Sequence, residues 1–485
     1  MLTSSERLLF PHQSEAADAA CKVLSATSRT TAVLPCGTGK TRVGAEVAHR
    51  IATAGHNQRS VVVPTLELVH QTMKEWADHV GRRALGRIVA VCSDKEILGA
   101  RRNGIPTADT AVTVDPEQLA RLADTAGPLT IACTYASLPV LAEAQARYGV
   151  APPDVAIIDE AHRTAGAAGK SWAAIHYDDI VAARRRLYLT ATPRVVTGDH
   201  DDVISMADER LYGPVAYRMT FATAIQLSLL AHYRLVVPVV TGEQVRALLG
   251  TADAYLQVGK AGVAASMLAT QLAVLRAAHE HDIRRMITFH RSVQDAKWFS
   301  ALLPHAYALL APHERPSALH ADFVHGYQSP RGRRRALHRL AGDDEGLTVI
   351  SNARVLSEGV DVPAVDAVCF LNARSTTDTI QATGRALRRG DRSRPKTASI
   401  IVPVVLDPGQ DAEAALSDSV FGPVWQTVRA LASHDEQLAQ QLESARRTLA
   451  EPDPQNGPAD TLSFFELATD RVMGREAQRA RPPGC

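Results

Sequence analysis

The sequence has few cysteines, and they lack the spacings that bind zinc or form a disulfide framework. Six cysteines are scattered over 485 residues, and no two stand in a C-x-x-C arrangement. Isolated cysteines of this kind are typical of reduced thiols in a cytosolic protein. We therefore predict a cytoplasmic protein without structural zinc or disulfides. The cysteines are Cys21, Cys36, Cys92, Cys133, Cys369 and Cys485.

A membrane segment and a strong net charge are also missing. The first residues lack the basic start and apolar core of a secretory signal, and no apolar run approaches the length of a membrane span. Lysine and arginine total 53 against 52 aspartates and glutamates, which gives a formal net charge of +1. We expect no membrane partner, and any nucleic-acid site must come from local charge.

Three arginine clusters are the local candidates for binding nucleic acid. Each has the charge to contact phosphates, but a run of like charge is more often a solvated helix face or loop. Both interpretations stay open at this point. The clusters lie at 184–186, 331–335 and 385–394.

The chain is long enough for about three units of ordinary size. Short apolar strands alternate with helical patterns in both halves, and this alternation predicts an α/β fold with doubly wound parallel sheets. We place one α/β domain at residues 1–220 and a second at 221–407. A helical extension follows at 408–450. The polar, proline-rich end at 451–485 predicts a flexible tail.

A glycine-bearing loop at residues 34–41, LPCGTGKT, lies between a β-branched strand and a helical pattern. Two glycines let the backbone approach an anion closely, and the helix N-terminus attracts negative charge. Lys40 would reach the β- and γ-phosphates of a nucleotide, and Thr41 would hold Mg²⁺. The strict motif has a glycine where this loop begins with leucine, so a structural turn is the alternative. The predicted phosphate-binding residues are Gly37, Thr38, Gly39, Lys40 and Thr41.

Two carboxylates follow a short apolar strand at residues 155–158. Asp159 would hold the hydration shell of Mg²⁺, and Glu160 would orient or deprotonate the attacking water. Two acids in a row are common in sequences. The same acids at a strand end, in a chain that also has Gly-x-Gly-Lys-Thr, are a much more specific signal.

Other polar residues stand at the ends of predicted strands or before the loop. Thr65 and Thr134 would contact a nucleic-acid backbone or cap the helices that follow, and the two interpretations are balanced. Gln13 would use its amide to recognise adenine, or would simply cap a helix. Arg291 and Ser351 follow strands of the second half and are further candidates for phosphate-backbone contact.

A basic segment near residue 385 is the main chemical feature of the second half. Arg385 and Arg388 are three residues apart, so on a helix they share a face. Two guanidiniums on one face suit an arginine finger, which contributes on the order of 10³–10⁵ in rate. A basic surface helix is the alternative.

The ordered set of segments resembles a superfamily 2 helicase of the DEAD/DEAH kind, from about Leu9 to Arg389. The resemblance implies two tandem RecA-like P-loop domains with a helical C-terminal extension. It also implies ATP and Mg²⁺ in the cleft between the domains and nucleic acid across both. Residues 35–41 resemble motif I, which in this superfamily does not require the first glycine. Residues 159–162, Asp-Glu-Ala-His, resemble motif II, and Gln13 resembles the adenine-sensing glutamine.

The remaining motifs follow in the family's order, and the resemblance implies a role for each. Thr65 and Thr134 belong to motifs Ia and Ib, which contact the nucleic-acid backbone, and Arg291 belongs to motif IV. The residues implied to couple hydrolysis to nucleic-acid grip are His162, Thr190 and Thr192. The residues of motifs V and VI implied to contact or act on the nucleotide are Gly359, Asp361, Gln381, Arg385 and Arg388.

The DEAH form and the following Arg163-Thr164-Ala165-Gly166 look like restriction-type, DNA-directed members, which favours DNA over RNA by analogy. The C-terminal repeats of bacterial helicases with associated domains are not expected. We predict an ATP-hydrolysing helicase or translocase. The alternatives are a duplex DNA translocase that does not unwind and a nucleotide-gated binding subunit of a larger complex. The C-terminal extension is a candidate docking segment for a protein partner.

Overall fold

A computed structural model of the protein describes thirteen segments of the chain. The chain divides into two compact units, Met1–Thr220 and Phe221–Cys485. We describe each unit by itself. The described residues are 8–92, 110–167, 171–196, 203–240, 261–326, 328, 330–342, 345–353, 365–372, 375–390, 395–406, 422–432 and 465–468.

The first unit is built on an eight-stranded sheet in which every neighbouring pair is parallel. The strand order is β10-β1-β8-β6-β2-β5-β3-β4, and β7 and β9 form a separate antiparallel pair. The strands are β1 Arg29–Val33, β2 Gln58–Val63, β3 Arg87–Val91, β4 Thr110–Thr113, β5 Leu129–Thr134, β6 Val155–Ile158, β7 Gly166–Ala167, β8 Arg186–Thr190, β9 Val203–Ile204 and β10 Val215–Arg218.

Helices cover both faces of this sheet, because successive strand residues point to opposite faces. Val61 and Val63 pack in one core with helices α1 to α3, whereas Val62 packs in a second core with α5 and α6. Continuous apolar strands are therefore buried on both sides, as expected for a parallel sheet. The helices are α1 Pro11–Ala26, α2 Lys40–Thr53, α3 Leu66–Val80, α4 Arg82–Leu85, α5 Pro116–Ala123, α6 Leu138–Tyr148 and α7 Glu209–Tyr212.

The second unit contains a seven-stranded sheet of order β14-β15-β13-β16-β17-β11-β19, parallel except for β19. A short parallel pair joins β12 to β18. The strands of the second unit are β11 His232–Val237, β12 Val239–Val240, β13 Arg285–Phe289, β14 Leu319–His325, β15 Leu347–Ala353, β16 Ala367–Phe370, β17 Thr397–Ile401, β18 Val404–Val405 and β19 Phe465–Ala468. Its helices are α8 Phe221–Gln226, α9 Ala261–Glu280, α10 Val293–Leu309, α11 Pro330–Leu340, α12 Thr376–Ala386 and α13 Gly422–Ala432.

The α/β prediction is confirmed, and the C-terminal region needs one correction. The predicted flexible tail contains β19, whose four residues pair with Arg234–Val237 of β11 and form the edge of the second sheet. The backbone ladder orders this short stretch, a contact that composition does not reveal. Within the predicted extension, α13 is helical, and the rest of 408–450 lies outside the described residues. The division of the second unit at residues 407 and 450 stays a prediction.

The arginine cluster at 184–186 is structural in two of its three members. Arg186 is fully buried, pairs with Asp178 at 2.7 Å and donates to three main-chain carbonyls. Arg185 donates to the carbonyl of Leu24 at 2.8 Å. These two guanidiniums are used in holding the unit together, so this cluster is not a nucleic-acid patch.

In the part of the chain that the structure describes, no helix is both long and apolar enough to cross a membrane.

A substitution in the turn before β10 can test how closely the sheet of the first unit is packed. Gly213 has φ 68° and ψ 174°, a conformation almost confined to glycine, and a Cβ there would overlap the carbonyl oxygen of Arg29. We expect Gly213→Ala to lower the free energy of unfolding by roughly 3 kcal/mol, since strain and overlap add. Urea unfolding measures it.

Gly149→Ala is the matched control. Gly149 also has positive φ, but nothing lies within 4 Å of the position that a Cβ would take there. Its cost should be about 1 kcal/mol, from the left-handed backbone alone. Equal losses in the two variants would show that the β1–β10 edge is not closely packed.

Candidate functional site

Three strand ends of the first unit meet at one edge of its sheet. β8 lies between β1 and β6, with Val33 opposite Thr190 and Ile158 opposite Tyr188. The amide of Leu34 donates to the carbonyl of Thr190 at 3.0 Å and continues the ladder past the end of β1. Because parallel strands end at the same edge, the glycine loop, the paired acids and the threonine pair are brought together.

The glycine loop has the backbone of an anion cradle. Gly37 and Gly39 have φ 89° and 92°, which side-chain-bearing residues rarely adopt, and α2 begins directly after them. Lys40 is buried, and its Nζ lies 3.4 Å from the carbonyl of Leu34 and 3.8 Å from Sγ of Cys36. The lysine ammonium therefore lies against the inside of the loop, where phosphates would bind.

Side chains from α1 support this loop through its backbone. Gln13 Nε2 donates to the carbonyl of Thr38 at 3.1 Å, and a ring nitrogen of His12 lies 2.9 Å from the same oxygen. Gln13 Oε1 also accepts from the amide of Phe10 at 3.1 Å and so caps the N-terminus of α1. A Cβ at Gly39 would overlap the Gln13 amide. The structure thus shows the capping interpretation of Gln13, and adenine recognition stays a prediction.

The paired acids lie in a strained turn after β6. Glu160 has φ 51° and ψ 47°, the left-handed region, and its amide donates to Asp159 Oδ1 at 2.9 Å. Burial raises the pKa of Asp159, and the Glu160 carboxylate adds to the rise while Lys40 opposes it. A buried carboxylate with a raised pKa gains from a bound cation, which restores its ionised form.

A polar network runs from Glu160 to the end of β8. His162 Nδ1 lies 3.5 Å from Glu160 Oε2 and 3.2 Å from Thr190 Oγ1. Thr190 Oγ1 in turn accepts from the amide of Thr192 at 3.1 Å. Of the predicted coupling residues, His162 contacts Glu160, and Thr190 and Thr192 are linked to it through hydrogen bonds, although their coupling role stays a prediction.

Tyr135, which follows Thr134 in the segment that resembles motif Ib, has a supporting role that the sequence did not reveal. Its buried hydroxyl donates to the carbonyl of Asp159 at 2.7 Å, across 24 positions of the chain. Its ring stacks on Trp172, with 5.6 Å between ring centroids, and the guanidinium of Arg163 lies 5.4 Å from that indole ring. Only the pairing of β5 with β2 and of β2 with β6 brings these segments close.

The residues at this edge fit a nucleoside triphosphate with Mg²⁺. The loop amides and Lys40 supply positive charge, and the two glycines keep Cβ atoms away from the cradle. Thr41 and Asp159 supply a hydroxyl and a carboxylate, the oxygen ligands that Mg²⁺ prefers. Among the described residues, no group of three His, Cys, Asp or Glu side chains forms a metal site by itself. The metal would therefore depend on phosphate oxygens as well.

The four predicted phosphate-backbone residues have different surroundings. Thr65 caps α3 by accepting from the amide of Leu68 at 3.4 Å, and Thr134 is buried with its hydroxyl 2.9 Å from that of Ser137. Arg291 is exposed on the loop after β13. These three contacts stay predictions. The residues of the set are Thr65, Thr134, Arg291 and Ser351.

Ser351 requires a correction. β15 continues through Ala353 instead of ending at Ile350, so Ser351 lies inside the sheet and is fully buried. Its hydroxyl accepts from Thr288 Oγ1 at 3.1 Å on the neighbouring strand. A direct contact with nucleic acid is therefore incompatible with its position.

The predicted helix face of the two arginines is also corrected. Gln381 and Arg385 are buried on α12, but the helix ends at Ala386. Arg388 lies beyond it, half-buried, in a β-bridge with Leu230. Just past the end of the helix, the carbonyl of Leu387 accepts from the amide of Ala231 at 2.8 Å. Gly359 and Asp361 lie outside the described residues.

Two protein-family models match the chain. Residues 7–195 match the model described as type III restriction enzyme, res subunit, and residues 267–390 match the helicase conserved C-terminal domain. The probable helicase A859L of African swine fever virus is 24% identical over 441 residues in one isolate and 25% in another. Both alignments cover 89% of this chain and 44% of the viral protein. The chain thus spans less than half the length of these relatives.

Solved structures share the fold at low sequence identity. The ATP-dependent Type ISP restriction-modification enzyme LlaBIII bound to DNA superimposes with a TM-score of 0.75 at 23% identity, over 94% of this chain and 31% of that one. A nuclease-deletion mutant of the Type ISP enzyme LlaGI with a DNA substrate mimic gives 0.61 at 21% identity, over 93% and 32%. At these identities the likeness establishes the fold alone.

The hydrogen bond from Tyr135 to the backbone of Asp159 can be tested by removing one oxygen. Tyr135→Phe leaves the ring in place but takes the donor from a buried carbonyl, so we expect a loss of about 1–3 kcal/mol in the free energy of unfolding. Tyr148→Phe is the control, since Tyr148 is 39% exposed at the end of α6. Urea unfolding that gives the same small loss for both variants would contradict the role of the hydroxyl.

A charged contact anchors α2 behind the glycine loop and makes stability depend on pH. Glu46 accepts from His79 at 2.9 Å and from Arg50 at 2.7 Å. The hydrogen bond from His79 and the contacts with Arg50 lower the pKa of Glu46 from 4.5 to about 2. Since its folded pKa lies below its unfolded value, its contribution is present above pH 4.5 and is lost as pH falls towards 2.

We expect Glu46→Gln to be less stable than the wild type at neutral pH, with a difference that shrinks as pH falls from 4.5 towards 2. Thermal unfolding between pH 7 and the lowest pH at which the chain folds measures this difference. Glu117→Gln, at an exposed ion pair with Arg121, should change little throughout. A difference independent of pH would contradict the assignment.

Proposed function

Because this chain belongs to the restriction-type helicases of superfamily 2, with two tandem RecA-like domains, we propose that it is an ATP-dependent motor acting on nucleic acid. We propose DNA as its track and the DEAH form as its subtype. Since the chain spans less than half the length of its curated relatives, the proposed activity rests on the chain's own residues.

The observation that carries the proposal is the meeting of three motifs at one sheet edge. The glycine loop follows β1, the acids Asp159 and Glu160 follow β6, and Thr190 ends β8 between them. Phosphate binding, metal binding and water activation need these residue types close together. Ligands of open α/β sheets bind at the carboxyl ends of strands, and these motifs lie there.

We assign a task to each nucleotide-site residue of the first unit. Lys40 would neutralise phosphate charge, while Thr41 and Asp159 would bind the metal. Glu160 accepts a proton from the attacking water, and the contact with His162 orients its carboxylate. ATP with Mg²⁺, when bound, supplies the phosphoanhydride bond whose hydrolysis drives the motor.

In the proposed cycle, arginines of the second unit would stabilise the charge of the transferred phosphoryl group. Arg385 and Arg388 are the residues we assign to this task, with Gln381 orienting the water or the nucleotide. Gln381 and Arg385 are held rigidly because α12 packs with both of them buried. Gly359 and Asp361 complete the predicted nucleotide contacts.

Three observations support DNA as the track. The type III restriction match covers the first unit, the sequence Asp159-Glu160-Ala161-His162 is of the DEAH form, and the two solved structures are described as bound to DNA or a DNA mimic. Thr65, Thr134 and Arg291 are the assigned phosphate contacts. Binding through the backbone should weaken with salt and depend little on sequence.

Two further parts of the proposal have narrower support. The five described cysteines are free, which supports the cytoplasm as the location. A protein partner on the chain beyond Ala450 is supported by composition alone.

The deciding experiment is ATP hydrolysis with and without single-stranded DNA, duplex DNA and RNA. We expect one polymer to stimulate turnover, and DNA to exceed RNA. Lys40→Ala should abolish turnover, and Glu160→Gln should lower it by about 10²–10⁴-fold, since it removes the general base. Lys74→Ala, an exposed lysine on α3, is the matched control and should behave as the wild type.

The other outcomes separate the alternatives. If the turnover is no higher than that of Lys40→Ala with any polymer, the protein is a nucleotide-gated binding subunit and not a motor. If hydrolysis is stimulated, a strand-displacement assay is run beside a triplex-displacement assay. Triplex displacement without strand separation would identify a duplex translocase instead of a helicase.

A further inference from the structure

Lys396 of the second unit contacts the backbone of the segment that carries Arg388. It stands one residue before β17, and its Nζ donates to the carbonyl of Arg388 at 2.7 Å and to that of Val365 at 2.6 Å. Burial lowers the pKa of Lys396 to about 8, and the carboxylate of Asp366 opposes the shift. The ammonium thus joins the segment after α12 to the start of β16.

The same segment is held on its other side by the chain that enters β11. The amide of Ala231 donates to the carbonyl of Leu387 at 2.8 Å, and Leu230 forms an antiparallel bridge with Arg388. Arg389 donates to the carbonyl of Ser228 at 3.1 Å. The side chain of Arg388 therefore extends from a backbone that is held on two sides, although the residue lies beyond the end of the helix.

We propose that Lys396 is a positioning residue for Arg388, and that it fixes the backbone from which the guanidinium extends. This inference rests on the proposed function, in which Arg388 stabilises the charge of the transferred phosphoryl group. Val365 directly precedes Asp366, which accepts from the amides of Arg284 and Arg285 and bonds to β17 through its main chain. Lys396 therefore links the backbone of Arg388 to a segment that is itself hydrogen-bonded to the sheet.

The size of the effect follows from the geometry of positioning. Without the ammonium, residue 388 keeps its bridge to Leu230 and loses its hold on the side of β17. A displacement of about 1 Å at a catalytic group costs on the order of 10²-fold in rate. The guanidinium would act on charge that develops in the transition state, so the loss should fall on kcat and leave the KM for ATP nearly unchanged.

The first measurement is polymer-stimulated ATP hydrolysis by Lys396→Met. We expect kcat to fall by about 10–100-fold with little change in KM. Lys396→Arg keeps a donor of similar length and should recover most of the rate. Lys297→Met is the matched control, because it removes the same charge from an exposed position of α10 in the same unit. Thermal unfolding is recorded for each variant.

The second measurement separates positioning from general damage to the fold. Lys396→Met is combined with Arg388→Ala, and residual hydrolysis is followed in single turnovers at high enzyme concentration. If Lys396 acts through Arg388, its replacement should have almost no effect once the guanidinium is gone. If it only stabilises the unit, it should lower the active fraction by the same factor in both backgrounds, and that result would overturn the inference.

The arms of the cycle also distinguish failure of the inference from failure of the proposed function. Arg388→Ala with an unchanged kcat would reject the assigned role of Arg388, and the positioning role of Lys396 with it. A large loss in Arg388→Ala with independent effects of the two changes rejects only the positioning role. If Lys396→Met does not fold, Lys396→Gln takes its place under the same criteria, since its shorter side chain cannot join both carbonyls.

Discussion

The parallel pairing of β8 between β1 and β6 is the constraint on which the first unit depends. These strands are buried on both faces, so a slip of one residue would turn every side chain to the opposite face. The register therefore fixes Thr190 beside the glycine loop and two residues from the strand position opposite Ile158. Hydrophobic burial favours the sheet but does not by itself select a register, whereas the backbone hydrogen bonds of the ladder do. The register sets the spacing between the polar groups at the strand ends.

A second kind of support reaches the motifs through their main-chain carbonyls. Gln13 donates to Thr38 across 25 positions, Tyr135 to Asp159 across 24, and Lys396 to Arg388 across 8. A carbonyl held in this way restricts the backbone without using the polar atoms of the motif's side chain. The three donors differ in chemistry and share only their geometry. This explains why the motifs, which record the chemical residues, gave Gln13 and Tyr135 no supporting role and did not include Lys396.

The sequence allowed the sheets and the chemical loops to be predicted, because both depend on local signals. Strands such as Val155–Ile158 are short apolar runs, and the glycine loop has its own pattern. The misses depend on tertiary contacts. The polar end of β15 is buried because Thr288 and the amide of His290 bond to Ser351 and Asn352. β14, at a sheet edge, has the mixed composition of a half-exposed strand and gave no clear signal.

The strained turn at Glu160 connects these observations. A glutamate in the left-handed region costs of order 1–3 kcal/mol and persists only where the surroundings determine it. Here Asp159 Oδ1 accepts from the amide of Glu160, and Tyr135 holds the carbonyl that precedes that amide. The turn ends β6 abruptly, so the second acid does not continue the alternation of the strand. Two adjacent carboxylates can then serve different tasks, one at the metal and one at the water. The strain is thus located at the two acids to which the proposed function assigns the metal and the water.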